Sequence, residues 1–249
     1  MVGDTLRQPS RRMTNAIENL YRLDPKLERS YIEQVLRLTG PLAEQVSTMT
    51  GGITREEAVV LFDIVESLHP ITTLEVGLGY AFSALVICEA AGRSASDRKH
   101  IVIDPNQTKY WNLQGLSHLK AAGHGDSIEF HEAPSFKVLP ELVKAGQRID
   151  FAFIDGWHTF DYVMVDFFFV DKMLRKGGVV AFDDADWPSI RPVIRYIITN
   201  LDYTVYRTMP ENGSRAAIDV ELGLEGSCIA LKKNSEETTR DIFFHKPFG

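Results

Sequence analysis

Residues 74–83 read LEVGLGYAFS, a short apolar run that ends in a two-glycine turn and continues into a stretch of helical character. Gly77 and Gly79 allow the backbone to turn tightly and to approach a ligand. The helix that follows offers free N–H groups to a carboxylate or phosphate. A two-glycine turn is common, so an ordinary structural turn remains an equal alternative. The stretch predicts a strand, a tight turn and a helix in succession.

The same alternation recurs along the chain. Apolar runs typical of buried parallel strands lie at 73–76, 100–103, 128–131, 151–154 and 179–182. Each is followed by a turn or a helix-like stretch, which predicts an α/β fold with a doubly wound, Rossmann-like sheet. Segments 203–207 and 227–232 are too close together for a helical crossover. We therefore expect seven strands, mostly parallel, with an antiparallel C-terminal strand.

Two further segments define the predicted organisation. Residues 1–53 precede the alternating pattern, and their apolar spacing predicts a helical segment that serves as a cap over the site or as a dimerisation segment. Residues 54–249 are expected to form the main domain, which opens with a capping-box helix over 54–68. A helix is predicted over 161–174, with the glycines at 177 and 178 as its stop.

Composition excludes several classes of protein. The 249 residues are 44% hydrophobic and 24% charged with a formal net charge of -7, values that exclude a disordered or collagen-like chain. The acidic balance argues against a broad nucleic-acid surface. Two distant cysteines, Cys88 and Cys228, give no disulfide framework and fit a reducing compartment. With neither a signal-like start nor ~18 uninterrupted apolar residues, we expect a cytoplasmic protein without a membrane segment.

An acidic residue ends the second predicted strand. Ligands of doubly wound sheets bind outside the carboxyl ends of the strands, so the residues after each strand are candidate site residues. Asp104 can accept hydrogen bonds from both hydroxyls of a ribose there. The sequence Asp104-Pro105 is also typical of a helix N-cap and first helical position, so the two interpretations stay open.

Three more carboxylates follow two neighbouring strands. Asp155 follows one, and Asp183 and Asp184 follow the next. Strand ends of a parallel sheet lie at one edge, so these acids should converge and repel unless a hard divalent cation such as Mg²⁺ binds them. Three solvated acids in polar loops are the alternative.

His158, three residues after Asp155, can take a proton from a hydroxyl, or it is an ordinary helix-cap residue.

These motifs together carry a family resemblance. The segment from Glu75 to Gly79 with Asp104 resembles the first motifs of class I S-adenosylmethionine-dependent methyltransferases. The spacing Ile-Asp155-Gly-x-His158, then a helix, Gly-Gly and Asp-Asp, resembles the branch with macrolide-sugar and catechol-type O-methyltransferases. The resemblance implies a divalent metal, Mg²⁺ or another, at Asp155, Asp183 and Asp184, and catalytic roles for His158 and Asp155. It implies cofactor contacts by Glu75, Gly77, Gly79, Tyr80, Ser83, Asp104, Glu132, Ala133 and Asp155. The pair Tyr80-Ala81 departs from the usual small residues of the turn.

The resemblance implies O-methylation of a small-molecule hydroxyl, on a natural product or a sugar-like acceptor. Three alternatives stay open: a metal-independent N- or C-methyltransferase, a non-catalytic nucleoside-binding homologue, and a nicotinamide-dependent oxidoreductase. Phe82 at the third glycine position of the nicotinamide motif argues against the last. A homo-oligomer is also left open. Arg191 and Arg195 share a predicted helical face, for which we favour solvation over contact with an anionic substrate.

Overall fold

A computed structural model describes residues 53, 55–92, 98–208, 217–224, 226–236, 243 and 245–248. The helices are α1 (Arg55–Leu68), α2 (Phe82–Ala91), α3 (Gln114–Ala121), α4 (Ser135–Lys144), α5 (Phe160–Met173), α6 (Arg191–Asn200) and α7 (Ala217–Glu221). The strands are β1 (Thr72–Val76), β2 (Lys99–Ile103), β3 (Ile128–His131), β4 (Ile149–Ile154), β5 (Leu174–Phe182), β6 (Tyr203–Thr208) and β7 (Ile229–Lys233). The cap or dimerisation segment predicted for residues 1–53 lies outside the described residues, apart from Ile53.

The strands form one seven-stranded sheet in the order β3-β2-β1-β4-β5-β7-β6. The five strands from β3 to β5 pair in parallel, and β7 runs antiparallel to both β5 and β6. The predicted Rossmann-like sheet with an antiparallel C-terminal strand is therefore confirmed. The chain winds to opposite sides of β1, so a crevice opens at the carboxyl ends of the central strands.

Apolar side chains cover both faces of the sheet. Every residue of β4 is buried, and its alternate side chains enter two different cores. Ala152 and Ile154 pack with residues of α4, α5 and α6, whereas Phe151 and Phe153 pack with α1 and α2. Each such fully buried large side chain contributes about 1.5–3 kcal/mol relative to exposure, so the central strands are rigidly held. None of the helices among the described residues is long and apolar enough to cross a membrane.

The end of α5 differs from the prediction. The helix stops at Met173, and the glycines predicted as its stop lie inside β5 instead. A Cβ atom on Gly178 would lie 2.9 Å from the carbonyl oxygen of Asp150 on the neighbouring strand. The close approach of β4, and not the termination of a helix, therefore requires a glycine here. The pairing of β4 with β5 also shifts register at this point.

The turn after β1 lies directly against the chain that leaves β4. The N–H of Gly77 donates to the carbonyl of Ile103 and the N–H of Asp155 donates to the carbonyl of Val76, each at 2.9 Å. Gly77 has a φ of +93°, and a Cβ atom there would lie 1.9 Å from the carbonyl oxygen of Asp155. Gly77 is therefore required both for its backbone conformation and for the closeness of the two chains.

We expect Gly77→Ala to destabilise the protein far more than a matched substitution at Gly146. Gly146 also has a positive φ, of +74°, but a Cβ atom there would meet nothing within 4 Å. Gly146→Ala should cost about 1–2 kcal/mol, the left-handed backbone penalty alone. Gly77→Ala adds a backbone clash, and we expect at least about twice that cost. Urea unfolding of both variants measures the difference; equal costs would contradict the close packing of the turn.

Candidate active site

A cavity of about 400 Å³ opens at the carboxyl edge of the sheet. Its lining includes the glycine turn after β1 and residues that follow β2, β3 and β4. Among the predicted site residues, the lining contains Gly77, Gly79, Ser83, Asp104, Asp155 and His158. The cavity therefore brings the predicted nucleoside-binding residues and the predicted catalytic residues into one space.

Glu75 lies behind this cavity and not in its wall. The side chain is fully buried, and Oε1 accepts a hydrogen bond from the Ser83 hydroxyl. Its Oε2 lies 3.2 Å from Nε2 of His100, whose Nδ1 lies 2.8 Å from the Thr73 hydroxyl. Because both oxygens are engaged by the protein, Glu75 orients Ser83, and Ser83 presents its surface to the cavity.

Asp104 closes the glycine turn from the β2 side. Its Oδ2 accepts from the N–H groups of Leu78 and Gly79 at 3.2 and 3.1 Å. Its Oδ1 accepts from the N–H of Asn106 at 2.7 Å. A turn, and not an α-helix, follows at Pro105, so the interpretation of Asp104 as a helix N-cap is wrong. The carboxylate lies between the turn and the cavity, as a ribose-binding acid requires.

Besides Glu75, three predicted cofactor contacts lie outside the cavity wall. Glu132 is exposed and accepts from the backbone N–H and the hydroxyl of Thr108, at 2.6 and 2.8 Å. Ala133 packs against the core, and the Tyr80 ring contacts Trp111 edge-on at 4.9 Å. Ser135 and Trp111 line the cavity in their place. Ser135 is the first residue of α4, a position that helix-start signals after β3 could have indicated.

The three predicted metal acids meet beside His158. Asp155 follows β4, and Asp183 and Asp184 follow β5. Nε2 of His158 lies 3.1 Å from Oδ1 of Asp155 and 3.7 Å from Oδ2 of Asp184. Asp184 adopts a φ of +46°, a left-handed conformation that aspartate tolerates better than most residues. The structure therefore places all four residues in one cluster.

Burial raises the pKa of Asp155, Asp183 and Asp184, and repulsion from neighbouring carboxylates adds to each shift. Burial raises the pKa of Asp155 well above its usual range, and the charges of Glu75 and Asp184 raise it further. Burial likewise raises the pKa of Asp183 well above its usual range, helped by Asp155 and by Glu57. Burial raises the pKa of Asp184, and the nearby His158 opposes this shift.

Glu57 is a member of the cluster that the sequence did not identify. It lies on α1 and is buried, and its Oε1 accepts from the Ser227 hydroxyl at 3.1 Å. The sequence pattern explains Glu57 as part of a capping box, so nothing in that pattern indicates a role near the strand ends. The fold brings α1 beside β4 and β5, which places a fourth carboxylate near the three predicted ones.

The chemistry of the cluster fits a divalent cation. Carboxylate oxygens are the ligands that Mg²⁺ prefers, and a cation would relieve the repulsion that raises the pKa values of Asp155 and Asp183. In the described part of the chain, no three His, Cys, Asp or Glu side chains converge as ligands in the present side-chain conformation. The donor types suit a divalent cation, whereas the observed side-chain positions of the described residues do not form a ligand set for one.

Two tryptophans stand at the mouth of the cavity. Trp157 lines it with 63% of its side chain exposed, and Trp187 lies against the His158 ring at 5.2 Å between ring centres. Trp157 follows Asp155 by two residues, and Trp187 follows Asp184 by three. Exposed aromatic rings beside reactive groups can cover an acceptor molecule and exclude water from it.

Arg191 and Arg195 bind another segment of the same chain. Arg191 is buried and donates to the carbonyl oxygens of Leu224 and of Gly226, the latter at 3.0 Å. Arg195 forms a two-pronged pair with Asp219 at 2.7 and 2.9 Å. The prediction of a solvated face is therefore wrong, because Asp219, Leu224 and Gly226 bind these side chains.

Asp166 is a buried carboxylate next to the cavity. It lies on the inner face of α5, close to Gly156, and neither oxygen has a hydrogen-bond partner. Burial raises its pKa to about 6, an effect that the nearby Ser135 hydroxyl only partly offsets. Gly156 and Ser135 both line the cavity, so Asp166 lies behind its wall.

Comparison with known proteins finds similarity to methyltransferases in the central part of the chain. Residues 74–185 match a family model described as a methyltransferase domain. The caffeoyl-CoA O-methyltransferase of Petroselinum crispum is 24% identical over 159 residues, which is 60% of this chain and 63% of that protein. The chain thus matches less than two thirds of the length of the curated relatives.

Solved structures share the fold. The O-methyltransferase TomG of Streptomyces achromogenes, solved in complex with S-adenosylmethionine, superimposes with a TM-score of 0.62 at 15% identity over 93% of each chain. An O-methyltransferase of Bacillus cereus in complex with S-adenosylhomocysteine gives 0.56 at 16% identity, over 87% of this chain and all of that one. These structures confirm the Rossmann-like fold, and the family match agrees with the methyltransferase resemblance drawn from the sequence.

We expect Asp166→Asn to stabilise the protein at neutral pH and not at acidic pH. Its pKa rises on folding from 3.8 to about 6, so the burial penalty is absent below pH 4, grows to pH 6 and is complete above it. A shift of that size corresponds to about 3 kcal/mol at pH 8. Urea unfolding from pH 4 to pH 8 measures the gain.

Asp161→Asn, on the exposed first turn of the same helix, is the matched control. The hydroxyl of Thr159 lowers the pKa of Asp161, so this carboxylate stabilises the fold at neutral pH. The control variant should lose stability at pH 8 and match the wild type at low pH. A gain for Asp166→Asn that is the same at every pH would show that ionisation of Asp166 is not its cause.

Proposed function

We propose that this chain, whose residues 74–185 match a methyltransferase domain model, is a class I S-adenosylmethionine-dependent methyltransferase that transfers a methyl group to a hydroxyl of a small molecule with the help of a divalent cation. The observation that carries the proposal is the single cavity that joins the glycine turn and Asp104 to Asp155 and His158. Such an arrangement allows donor and acceptor to be held in line, a proximity effect worth up to about 7–11 kcal/mol.

The nucleoside end of the cavity would hold the cofactor. The free N–H groups at the start of α2 and the Ser83 hydroxyl are available for the methionine end of S-adenosylmethionine, and Asp104 for its ribose. Ser135 and Trp111 line the same end and offer a hydroxyl and an aromatic face to the adenine. When bound, S-adenosylmethionine supplies the electrophilic methyl group.

His158 would accept the proton of the acceptor hydroxyl. Its Nε2 faces the carboxylate of Asp155, so Nε2 carries the proton in the neutral ring and Nδ1 is the basic atom. The ring is held by Trp187 on one side and by the acids on the other, and the Ser189 hydroxyl donates to the His158 carbonyl at 2.7 Å. This fixes the imidazole beside the space that an acceptor would occupy.

The acids would hold the metal. Asp155, Asp183 and Asp184 are the proposed ligands, and Glu57 adds negative charge from α1. A divalent cation at this position would lower the pKa of a hydroxyl bound to it. The acceptor would then lose its proton to His158 more readily at neutral pH.

A metal-independent methyltransferase is the second candidate. The observation that favours it is the position of the His158 Nε2 atom, which lies between Asp155 and Asp184. A protonated imidazole there would itself offset part of the negative charge. Activity that persists unchanged in a chelator would select this candidate over the metal-dependent one.

We expect His158→Ala to lose methyl transfer and to keep cofactor binding. General base catalysis contributes about 100- to 10,000-fold, and His158 lies apart from the nucleoside end of the cavity. The test measures transfer of tritiated methyl from S-adenosylmethionine to a panel of catechols, other phenols and sugars, with calorimetric titration of S-adenosylhomocysteine alongside. The control is His245→Ala, because His245 is exposed and stacks on Tyr196 of α6.

The outcomes separate the parts of the proposal. No binding of S-adenosylhomocysteine by the wild type would contradict the proposed function as a whole. Full turnover by His158→Ala on an acceptor that the wild type methylates would contradict only the role of His158.

We expect Asp183→Asn to stabilise the metal-free protein and to abolish its response to Mg²⁺ or Mn²⁺. Burial and the charges of Asp155 and Glu57 raise the pKa of Asp183, so removing its charge relieves repulsion in the folded state. The unfolding temperature, measured in chelator and then with added metal, reports both effects. Metal should raise the value for the wild type, because a ligand that binds only the folded state stabilises it.

Asp186→Asn is the control for this experiment. Asp186 is exposed and lies three residues further along the same loop. Its charge adds to the repulsion on Asp184, so the variant should gain a little stability in chelator, and it should keep the response to metal. An Asp183→Asn variant that still responds to metal would remove Asp183 from the proposed ligand set.

A further inference from the structure

Gln107 is a buried amide beside the cofactor end of the cavity. It follows β2 by four residues and has no solvent exposure. Its Nε2 donates to the carbonyl of Gly79 at 2.8 Å and to Oδ2 of Asp104, also at 2.8 Å. One amide group thus joins the glycine turn after β1 to the acid that ends β2.

The orientation of this amide is determined by its partners. If the oxygen and nitrogen were exchanged, the amide oxygen would face a carbonyl and a carboxylate, three acceptors without a donor. In the observed orientation Oε1 is buried without a partner. A buried acceptor without a partner is costly. The side chain at this position therefore serves to donate two hydrogen bonds, one to the carbonyl of Gly79 and one to Asp104.

The contacts of Asp104 divide its two oxygens into different roles. Oδ2 accepts from three donors: the N–H groups of Leu78 and Gly79 and the amide of Gln107. Oδ1 accepts only from the N–H of Asn106. A carboxylate oxygen has two lone pairs, so Oδ1 retains capacity for another donor while Oδ2 has none. Asp104 lines the cavity, and Oδ1 is the atom that can serve a ligand there.

Helix α3 packs against the contact between Gln107 and Gly79. A Cβ atom on Gly115 would lie 2.6 Å from the carbonyl oxygen of Gly79 and 3.0 Å from Oε1 of Gln107. The amide is therefore enclosed by the turn, the acid and the first turn of α3. It has little room to adopt another rotamer, which keeps the Asp104 carboxylate in one orientation.

We propose that Gln107 is a positioning residue that holds Oδ2 of Asp104 and so presents Oδ1 to a ribose hydroxyl of the cofactor. The inference rests on the proposed function, since it takes the nucleoside of S-adenosylmethionine as the ligand of this end of the cavity. Gln107 does not touch the ligand; it acts through Asp104 and through the carbonyl of Gly79.

The test compares affinities for S-adenosylhomocysteine and for its 2′-deoxy and 3′-deoxy analogues. Calorimetric titration is carried out on the wild type and on Gln107→Met, which keeps the shape of the side chain and removes its donors. One of the two deoxy analogues lacks the ribose hydroxyl that donates a hydrogen bond to Oδ1 of Asp104. The wild type should bind that analogue roughly 10- to 100-fold more weakly than the parent ligand. In Gln107→Met, the parent ligand should bind about tenfold more weakly and the sensitive analogue should lose little further affinity.

The ratio of the two affinities separates positioning from simple destabilisation. A variant that only loosens the fold weakens both ligands equally and leaves the ratio at its wild-type value. Gln114→Met, an exposed glutamine at the start of α3, is the matched control and should keep both affinities. If Gln107→Met does not fold, Gln107→Asn gives the same comparison, because its shorter amide cannot reach both acceptors.

Each result has one meaning. Wild-type discrimination against a deoxy analogue that falls towards unity in the Gln107 variant supports the inference. Discrimination that is unchanged in the variant overturns it and leaves the proposed function intact. Equal wild-type binding of the parent and both analogues also overturns it. No wild-type binding of S-adenosylhomocysteine overturns the proposed function and this inference together.

Discussion

The contact between the turn after β1 and the chain after β4 determines where every candidate site residue lies. Backbone hydrogen bonds join Val76 to Asp155 and Gly77 to Ile103, and the absence of a Cβ atom on Gly77 lets the two chains meet. Because the strand ends are fixed by these bonds, the residues that follow them need no long loops to reach a common cavity. The backbone hydrogen bonds of the sheet, and not contacts between the carboxylates, determine where the acids lie.

The candidate site concentrates carboxylates in a place where they do not stabilise the fold. Asp155 and Asp183 sit beside one another in a buried setting that raises the pKa of both, and Glu57 adds a further carboxylate from α1. A core optimised only for stability would carry neutral groups here. Such a concentration of destabilising charge at the mouth of a cavity is the pattern expected of a binding site, where a ligand offsets the cost.

Sequence patterns predicted the sheet and most of the acid cluster, because both depend on strand ends. Apolar runs indicate the strands, and the residue that follows each run can be identified from the sequence, as for Asp104 and Asp155. The errors concern contacts between distant segments. Glu57 reaches the site from a helix, and the fold turns Arg191 towards a segment that the pattern does not connect with it. The glycine at 178 is explained by the approach of a neighbouring strand, which no local signal reveals.

The arginines of α6 hold the chain where it returns to β7. Arg191 and Arg195 bind Gly226 and Asp219, so the backbone returns to β7 at a point set by α6. The N–H of Ala185, beside the acids, donates to the carbonyl of Ser227 at 2.6 Å, just where that return is completed. A substitution at Arg191 or Arg195 can therefore disturb the backbone beside Asp184 without touching the acids.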